Sequence, residues 1–241
     1  MGGLLSILLN GTGGNNTAFL WNIIACLISG TVVVFVTLPI HEYAHGFVAT
    51  KLGDPTPRWQ GRLSLNPLRH IDYFGAIMIY LIGFGYAKPV QVDARYFKNA
   101  KRDMAFVALA GPMSNILFAF VSAFLLNLVS FIAWVSKIQS VAAANIIWIL
   151  LLVFQYMTVI NISLAIFNLV PIPPLDGSKI LGAFLPNRIY YQFLQYERYF
   201  IIFIMFLMFM GTGFSSGLTK INLFVYDKIV YLTGLPFELF L

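Results

Sequence analysis

The chain has 241 residues, of which 59% are hydrophobic and only 10% are charged, and its formal net charge is +6. Soluble domains average about 25% charged residues, so the composition excludes an ordinary soluble protein and predicts an integral membrane protein. The single cysteine, Cys26, excludes an intramolecular disulfide and a cysteine-rich metal site.

The predicted elements begin with an N-terminal interfacial segment, residues 1–17, whose apolar run is too short to cross a bilayer. Three stretches of spanning length follow, at about 18–50, 104–135 and 142–170. A crossing needs about 20 residues, and the first of these stretches carries no charged side chain from Ala18 to Ile40.

Beyond the third stretch, a further apolar run covers residues 199–214. The run 221–240 is also apolar but is interrupted by Asp227 and Lys228, so it is predicted to be a tilted or interfacial helix or a further span. The pattern predicts an all-α polytopic membrane protein with about 4–6 transmembrane helices. Its membrane core covers residues 18–185, and its C-terminal helices cover residues 186–241.

Residues 76–93 differ from these stretches. They begin with a short apolar run and contain Gly83, Gly85 and Pro89, after which apolar and polar residues alternate from Val90 to Asp93. Glycine and proline punctuate helices, and alternation is typical of strands. We therefore expect a small β-hairpin or a re-entrant element here.

The basic residues indicate the orientation of the chain in the membrane. Nine of the fifteen Lys and Arg residues lie between the first two spans: Lys51, Arg58, Arg62, Arg69, Lys88, Arg95, Lys98, Lys101 and Arg102. Such an excess is typical of a cytoplasmic loop, which places the N-terminus outside and returns the third span to the cytoplasmic face. Because topology accounts for the basic residues, no nucleic-acid partner is expected.

Residues 41–45 are His-Glu-Tyr-Ala-His, an H-E-x-x-H pattern at the end of the first span. On a helix, His41 and His45 project from one face, one turn apart. Glu42 lies about 100° further round the axis, where it can act on water rather than bind the same ion. A catalytic zinc takes three protein ligands and leaves a fourth position open, so the pattern requires a third ligand.

The sequence leaves few candidates for that ligand. Val48 and Lys51 stand where the pattern with a third histidine requires Gly and His. No Glu lies between the motif and Glu197, and the only other histidine is His70. Asp176 follows the inward-going third span, which places it at the same cytoplasmic face as the motif. We therefore predict that Asp176 is the third metal ligand.

Three further polar residues are candidates for contact with substrate or with a developing oxyanion. Asn66 and His70 belong to the run Asn-Pro-Leu-Arg-His, where His70 either orients substrate near the metal or anchors a loop. Asn115 ends the run Gly-Pro-Met-Ser-Asn inside the second span. Its amide makes either an interhelical hydrogen bond or a substrate contact.

These motifs together resemble the site-2 protease family of intramembrane zinc metalloproteases. The resemblance depends on four segments in the family's order and spacing: residues 41–45, 66–70, 111–115 and 168–177. It is to the minimal branch, because the loop 51–102 is too short for a PDZ domain and the part after Leu185 is too short for a CBS pair. Ser178 stands where many members have a second glycine.

The resemblance implies that His41, His45 and Asp176 bind one zinc ion per chain and that Glu42 is the general base and later the acid. Its partners would be the bilayer and a membrane-protein substrate, cleaved in or near a transmembrane helix. We expect a multi-pass protein of a prokaryotic cell membrane with its active site towards the cytoplasm. The oligomeric state is left open.

Two alternatives use the same ligands, namely a membrane zinc carrier or transporter and a catalytically dead homologue. Many transporters contain inverted repeats and paired broken helices, and neither is visible in this sequence. A carrier also has no need of a carboxylate beside the first histidine, so Glu42 favours the hydrolase.

Overall fold

The computed structural model describes residues 16–82, 85–196, 199–200 and 213–238, together with Leu4, Ile7 and Leu8. This part of the chain is mostly helical and contains no strand. Three of its helices are long and apolar enough to cross a membrane: Thr17–Lys51, Ala100–Val135 and Val141–Asn168. The predicted helical class and the positions of the three predicted spans are thereby confirmed.

The first long helix has two α-helical parts, α1 (Asn16–Val32) and α2 (Leu38–Lys51), joined by a π-helical turn at Val33–Thr37. Pro39 explains the turn, because proline has no N–H and its ring collides with the carbonyl four residues earlier. Widening the preceding turn relieves that collision without ending the helix. The widened turn also sets the direction in which the His-Glu-Tyr-Ala-His segment faces.

The other described helices of the chain are α3 (Thr56–Trp59), α4 (Tyr73–Ile82), α5 (Ala100–Val135), α6 (Val141–Asn168), α7 (Asp176–Gly182), α8 (Asn187–Gln195) and α9 (Gly213–Glu238). The start of α5 is capped by Asn99, whose side chain accepts from the Arg102 N–H, while the Asn99 N–H donates to Asp103. Residues 136–140 then turn the chain back into α6, with Lys137 at φ 43°.

Helix α6 is the centre of the bundle, because it packs against α1, α5 and α9. On one side, Ala25 of α1 lies against Val153 and Met157. On another, Ala119 of α5 packs with Ile162, and small residues at such positions let helix backbones approach closely. Helix α2 packs against α5, and α7, which follows α6, packs against the same helix.

The predicted β-hairpin at residues 76–93 is wrong for the described part of that segment. Residues up to Ile82 belong to helix α4, because the run is continuously apolar and Asp72 caps it by accepting from the Gly75 N–H over 2.9 Å. Residues 85–93, here named the strap, form neither helix nor turn and make no ladder with another strand among the described residues. The re-entrant alternative stays a prediction.

The terminal predictions are only partly covered. Of the predicted run 199–214, residues 201–212 lie outside the described residues, as does most of the interfacial segment 1–17. The run 221–240 is helical up to Glu238 as part of α9, which packs on α5, where Asn127 donates to the Val230 carbonyl over 2.9 Å. Beyond the three long helices, the number of spans stays a prediction.

Candidate metal centre

His41 and His45 lie one turn apart on α2, and their imidazoles converge where α2 crosses α5. Both side chains are buried, and their Nε2 atoms are 3.1 Å apart. The Nδ1 atom of His45 lies 2.7 Å from the Val107 carbonyl. A carbonyl only accepts, so Nδ1 carries the proton and Nε2 presents its lone pair to the centre.

Asp176 joins the two histidines from a distant part of the chain. It is the first residue of α7, after the proline-rich turn that follows α6. Its Oδ2 lies 3.1 Å from Nε2 of His45 and 3.5 Å from Nε2 of His41. The structure thus brings together the three residues that the sequence predicts as ligands.

A close approach of backbones places Asp176 there. A Cβ built on Gly177 would lie only 2.5 Å from the Val170 carbonyl oxygen, so only glycine lets α7 begin this close to the end of α6. The adjacent Ser178 stands where many members of the resembled family have a second glycine. Its hydroxyl donates to the Leu175 carbonyl over 2.7 Å. Ser178 therefore supports the first turn of α7 and leaves the Asp176 carboxylate free to face the histidines.

The charge state of Asp176 suits a metal ligand. Burial by itself raises the pKa of a carboxyl group, but the basic groups around it, His45, His41 and Lys179, hold the pKa of Asp176 well below its usual range. Its other oxygen, Oδ1, lies 3.3 Å from the Lys179 ammonium. The carboxylate therefore stays ionised, although it is buried.

The chemistry of the donor set fits zinc. Two imidazole nitrogens and one carboxylate oxygen, all buried, lie within 4.8 Å of one another, and His₂-carboxylate sets are a ligand combination of catalytic zinc. The two imidazoles and the carboxylate face one point, as the ligands of a single cation do. The Val107 carbonyl supplies the hydrogen bond to the second nitrogen that metal-ligating histidines require.

Gly111 of α5 makes room for this centre, and the sequence analysis did not assign it a role. A Cβ at this position would lie 2.5 Å from Cε1 of His45 and 2.6 Å from Cε1 of His41. Any larger side chain would displace both imidazoles. The signal for this role is the place of Gly111 in the Gly-Pro-Met-Ser-Asn motif, and α5 continues through Pro112.

Glu42 is buried beside the histidines but does not belong to the converging donor group. Its Oε2 accepts a hydrogen bond of 2.8 Å from the backbone N–H of Val90 in the strap. Val90 was therefore missed as a site residue, because a backbone donor leaves no signal in a sequence. The carboxylate is held in place by a neighbouring segment, as a general base must be.

His70 and Asn66 lie outside the converging group. The His70 side chain is fully buried, its Nε2 lies 2.7 Å from the Ser64 carbonyl, and its own carbonyl accepts from the Lys88 N–H over 2.7 Å. Asn66 is exposed and caps a short 3₁₀ turn by accepting from the Leu68 N–H over 3.1 Å. These contacts favour the loop-anchoring alternative for His70, and they give Asn66 a local structural role.

Asn115 has no exposed surface, and neither its Oδ1 nor its Nδ2 has a hydrogen-bond partner among the described residues. The interhelical hydrogen bond that was one alternative for this residue is absent from the described part of the chain. Asn115 stands four residues after Gly111 on α5, on the face that lines the metal centre.

Comparison with known proteins agrees with the site. The profile of Peptidase family M50 matches residues 29–211. Three relatives are each named "Putative zinc metalloprotease". YwhC of Bacillus subtilis is 38% identical over 173 residues, which are 70% of this chain and 74% of the relative. MJ0611 of Methanocaldococcus jannaschii is 29% identical over 168 residues, 69% of this chain and 73% of the relative.

The third relative, Rip2 of Mycobacterium tuberculosis, is 28% identical over 152 residues, which are 61% of this chain. The match spans 53% of Rip2, so this chain corresponds to about half of that protein. No solved structure matches the chain.

Proposed function

Since the chain belongs to peptidase family M50, the site-2 protease family, we propose that it is an intramembrane zinc endopeptidase. Its substrates are membrane proteins, cleaved at peptide bonds in or near a transmembrane helix. The observation that carries the proposal is the buried group of His41, His45 and Asp176, with Glu42 beside it, at the ends of helices long enough to cross a membrane.

Each residue of the centre has a defined part in hydrolysis. His41, His45 and Asp176 hold the zinc, which when bound polarises the scissile carbonyl and lowers the pKa of water. Glu42 takes a proton from the attacking water onto a carboxylate oxygen and then delivers it to the leaving amine nitrogen. Val90 keeps the carboxylate oriented through its backbone N–H.

The strap offers a way to present the substrate. A helical substrate hides its peptide groups in its own hydrogen bonds, so it must unwind before a water molecule can attack its backbone. The strap forms neither helix nor turn and runs past Glu42, and an unwound peptide can add to such a segment as a strand. Addition on the strap brings the scissile carbonyl alongside the general base.

The orientation of the site follows from the basic loop. Residues 51–102 carry nine of the fifteen Lys and Arg residues of the chain, which favours a cytoplasmic loop and an external N-terminus. The metal centre then lies towards the cytoplasmic side of a prokaryotic cell membrane, where water can reach it.

A reporter experiment tests this function. A tagged single-span reporter is co-expressed with the wild type or with Glu42→Gln, and its fragments are followed by immunoblotting. Cleavage by the wild type and none by the variant is expected, with zinc content equal in both purified proteins, because Glu42 is not a ligand. Equal cleavage by the two proteins contradicts the proposal, and so does an intact reporter in both.

A further inference from the structure

The side chain of Asn115 differs from the other buried asparagines of the bundle. Asn161 and Asn168 donate to the carbonyls four residues earlier in α6, over 2.8 and 3.0 Å. Asn115 makes no such bond, and its whole carboxamide is buried without a partner among the described residues. Buried polar side chains are nearly always hydrogen-bonded, so this carboxamide is open to a partner that the described part of the chain does not supply.

Asn115 stands close to the metal centre in the helix register. It is one turn after Gly111 on the same face of α5, and a Cβ at Gly111 would meet both imidazoles. A helical side chain covers the turn that precedes its own Cα. The Asn115 carboxamide therefore covers the turn that contains Gly111.

Thr37, the last residue of the π-helical turn before α2, is a second buried polar side chain of this kind. The hydroxyls of Thr31 and Thr50 donate to the carbonyls of Leu27 and Gly46, each over 2.8 Å. The Thr37 hydroxyl lies in the π-helical turn, and it is buried without a partner among the described residues.

Thr37 and Asn115 lie on the same side of the metal centre. Thr37 is one turn before His41, and Asn115 is one turn after Gly111. The two helices are antiparallel here, since Ala49 packs with Val107. Four residues of helix rise about 6 Å, so the Cα atoms of both residues lie about one turn from the metal centre, towards the interior of the spanning segments.

We propose that Asn115 and Thr37 form a subsite that binds a peptide group of the unwound substrate on the membrane side of the scissile bond. The proposal rests on the proposed function. A carboxamide presents one acceptor and a donor group, which complement the N–H and C=O of a peptide. Unwound peptide groups in an apolar region need such partners, because no water replaces their lost hydrogen bonds.

Binding to an inactive parent tests the subsite apart from cleavage. The parent is Glu42→Gln protein in lipid nanodiscs, and the probes are two fluorescent single-span peptides measured by anisotropy. One probe has a central Gly-Asn pair that breaks its helix, and the other has Leu-Ala there. We expect the parent to bind the broken probe more tightly, and adding Asn115→Ala to weaken that binding about tenfold, with little effect on the other probe.

Two further variants sharpen the test. Thr37→Val keeps the shape of the side chain and removes the hydroxyl, and it is expected to weaken binding of the broken probe about threefold. The matched control is Asn127→Ala on the same helix, whose Nδ2 donates to the Val230 carbonyl far from the centre. This control is expected to bind both probes as the parent does.

Four outcomes overturn the subsite. Two concern binding by the parent and by Asn115→Ala: the parent binds the two probes equally, or Asn115→Ala binds both probes as the parent does. In the third, Asn127→Ala loses as much binding of the broken probe as Asn115→Ala does. In the fourth, Asn115→Ala loses zinc, which would mean that Asn115 supports the metal centre. If the wild type fails to cleave the reporter, the proposed function is wrong. The difference in binding between the two probes still tests the subsite in that case.

Discussion

The backbone N–H of Val90 donates a hydrogen bond of 2.8 Å to Oε2 of Glu42. The two residues are 48 positions apart in the chain, and the bond joins the strap to the carboxylate that we propose as general base. A segment suited to receive an extended peptide is thereby connected to the group that acts on that peptide.

Val90→Pro is expected to reduce reporter cleavage about tenfold or more, because proline removes the N–H and a hydrogen bond to a charged group contributes about 1.5–3 kcal/mol. Cleavage is measured as the rate of fragment appearance with purified protein. Val90→Ala keeps the backbone donor and is the control, with a rate within about twofold of the wild type. Equal rates for the proline and alanine variants would show that the bond has no part in catalysis.

Asp176→Ala is expected to lose zinc, because two imidazoles alone do not complete a three-ligand zinc site. The metal content of protein purified without chelators is measured by elemental mass spectrometry. Asp227→Ala removes an exposed carboxylate of α9, and this control is expected to keep one zinc per chain. Stoichiometric zinc in Asp176→Ala would exclude Asp176 as a ligand.

Gly111→Ala is expected to abolish cleavage and reduce zinc content, since the added Cβ would lie 2.5–2.6 Å from the Cε1 atoms of both histidines. Such overpacking costs about 1–3 kcal/mol. The matched control is Gly217→Ala in α9, where a Cβ meets nothing within 4 Å. The interpretation is wrong if Gly111→Ala retains wild-type zinc content and activity.

His70→Ala is expected to act on the loop rather than on the metal. Removal of its imidazole leaves the buried Ser64 contact unmade and is expected to lower the free energy of unfolding by about 1–3 kcal/mol. Thermal unfolding and limited proteolysis between residues 60 and 72 measure this effect, and zinc content is expected to stay at the wild-type level. Zinc loss at unchanged stability would instead place His70 at the metal.

Periodicity and spacing were sufficient for the long helices and for the ligand set. A long run of apolar residues satisfies the hydrogen bonds of its backbone in a bilayer by forming a helix. Helices α5 and α6 accordingly end within a few residues of the predicted bounds. His41 and His45 face one side because their spacing matches a helical turn. Asp176 followed from elimination of other ligands and from topology, both of which are properties of the sequence alone.

The segment 76–93 shows where local pattern failed. Its glycines and its alternation favoured a hairpin, but the cap at Asp72 and the continuous apolar run stabilise α4 up to Ile82. Only the strap is free of helix. Contacts with distant residues, such as the hydrogen bond from Val90 to Glu42, hold it in place. Local propensity carries no information about such partners.

The sequence by itself determined the membrane class, the three long helices and the candidate metal ligands, because burial in lipid and the spacing of donors restrict the choice of residues. The tertiary structure alone decided that Gly111 makes room for the imidazoles, that the strap holds Glu42, and that Asn115 and Thr37 are buried without partners among the described residues. Those properties depend on distances between separate helices, and packing of the folded bundle sets such distances.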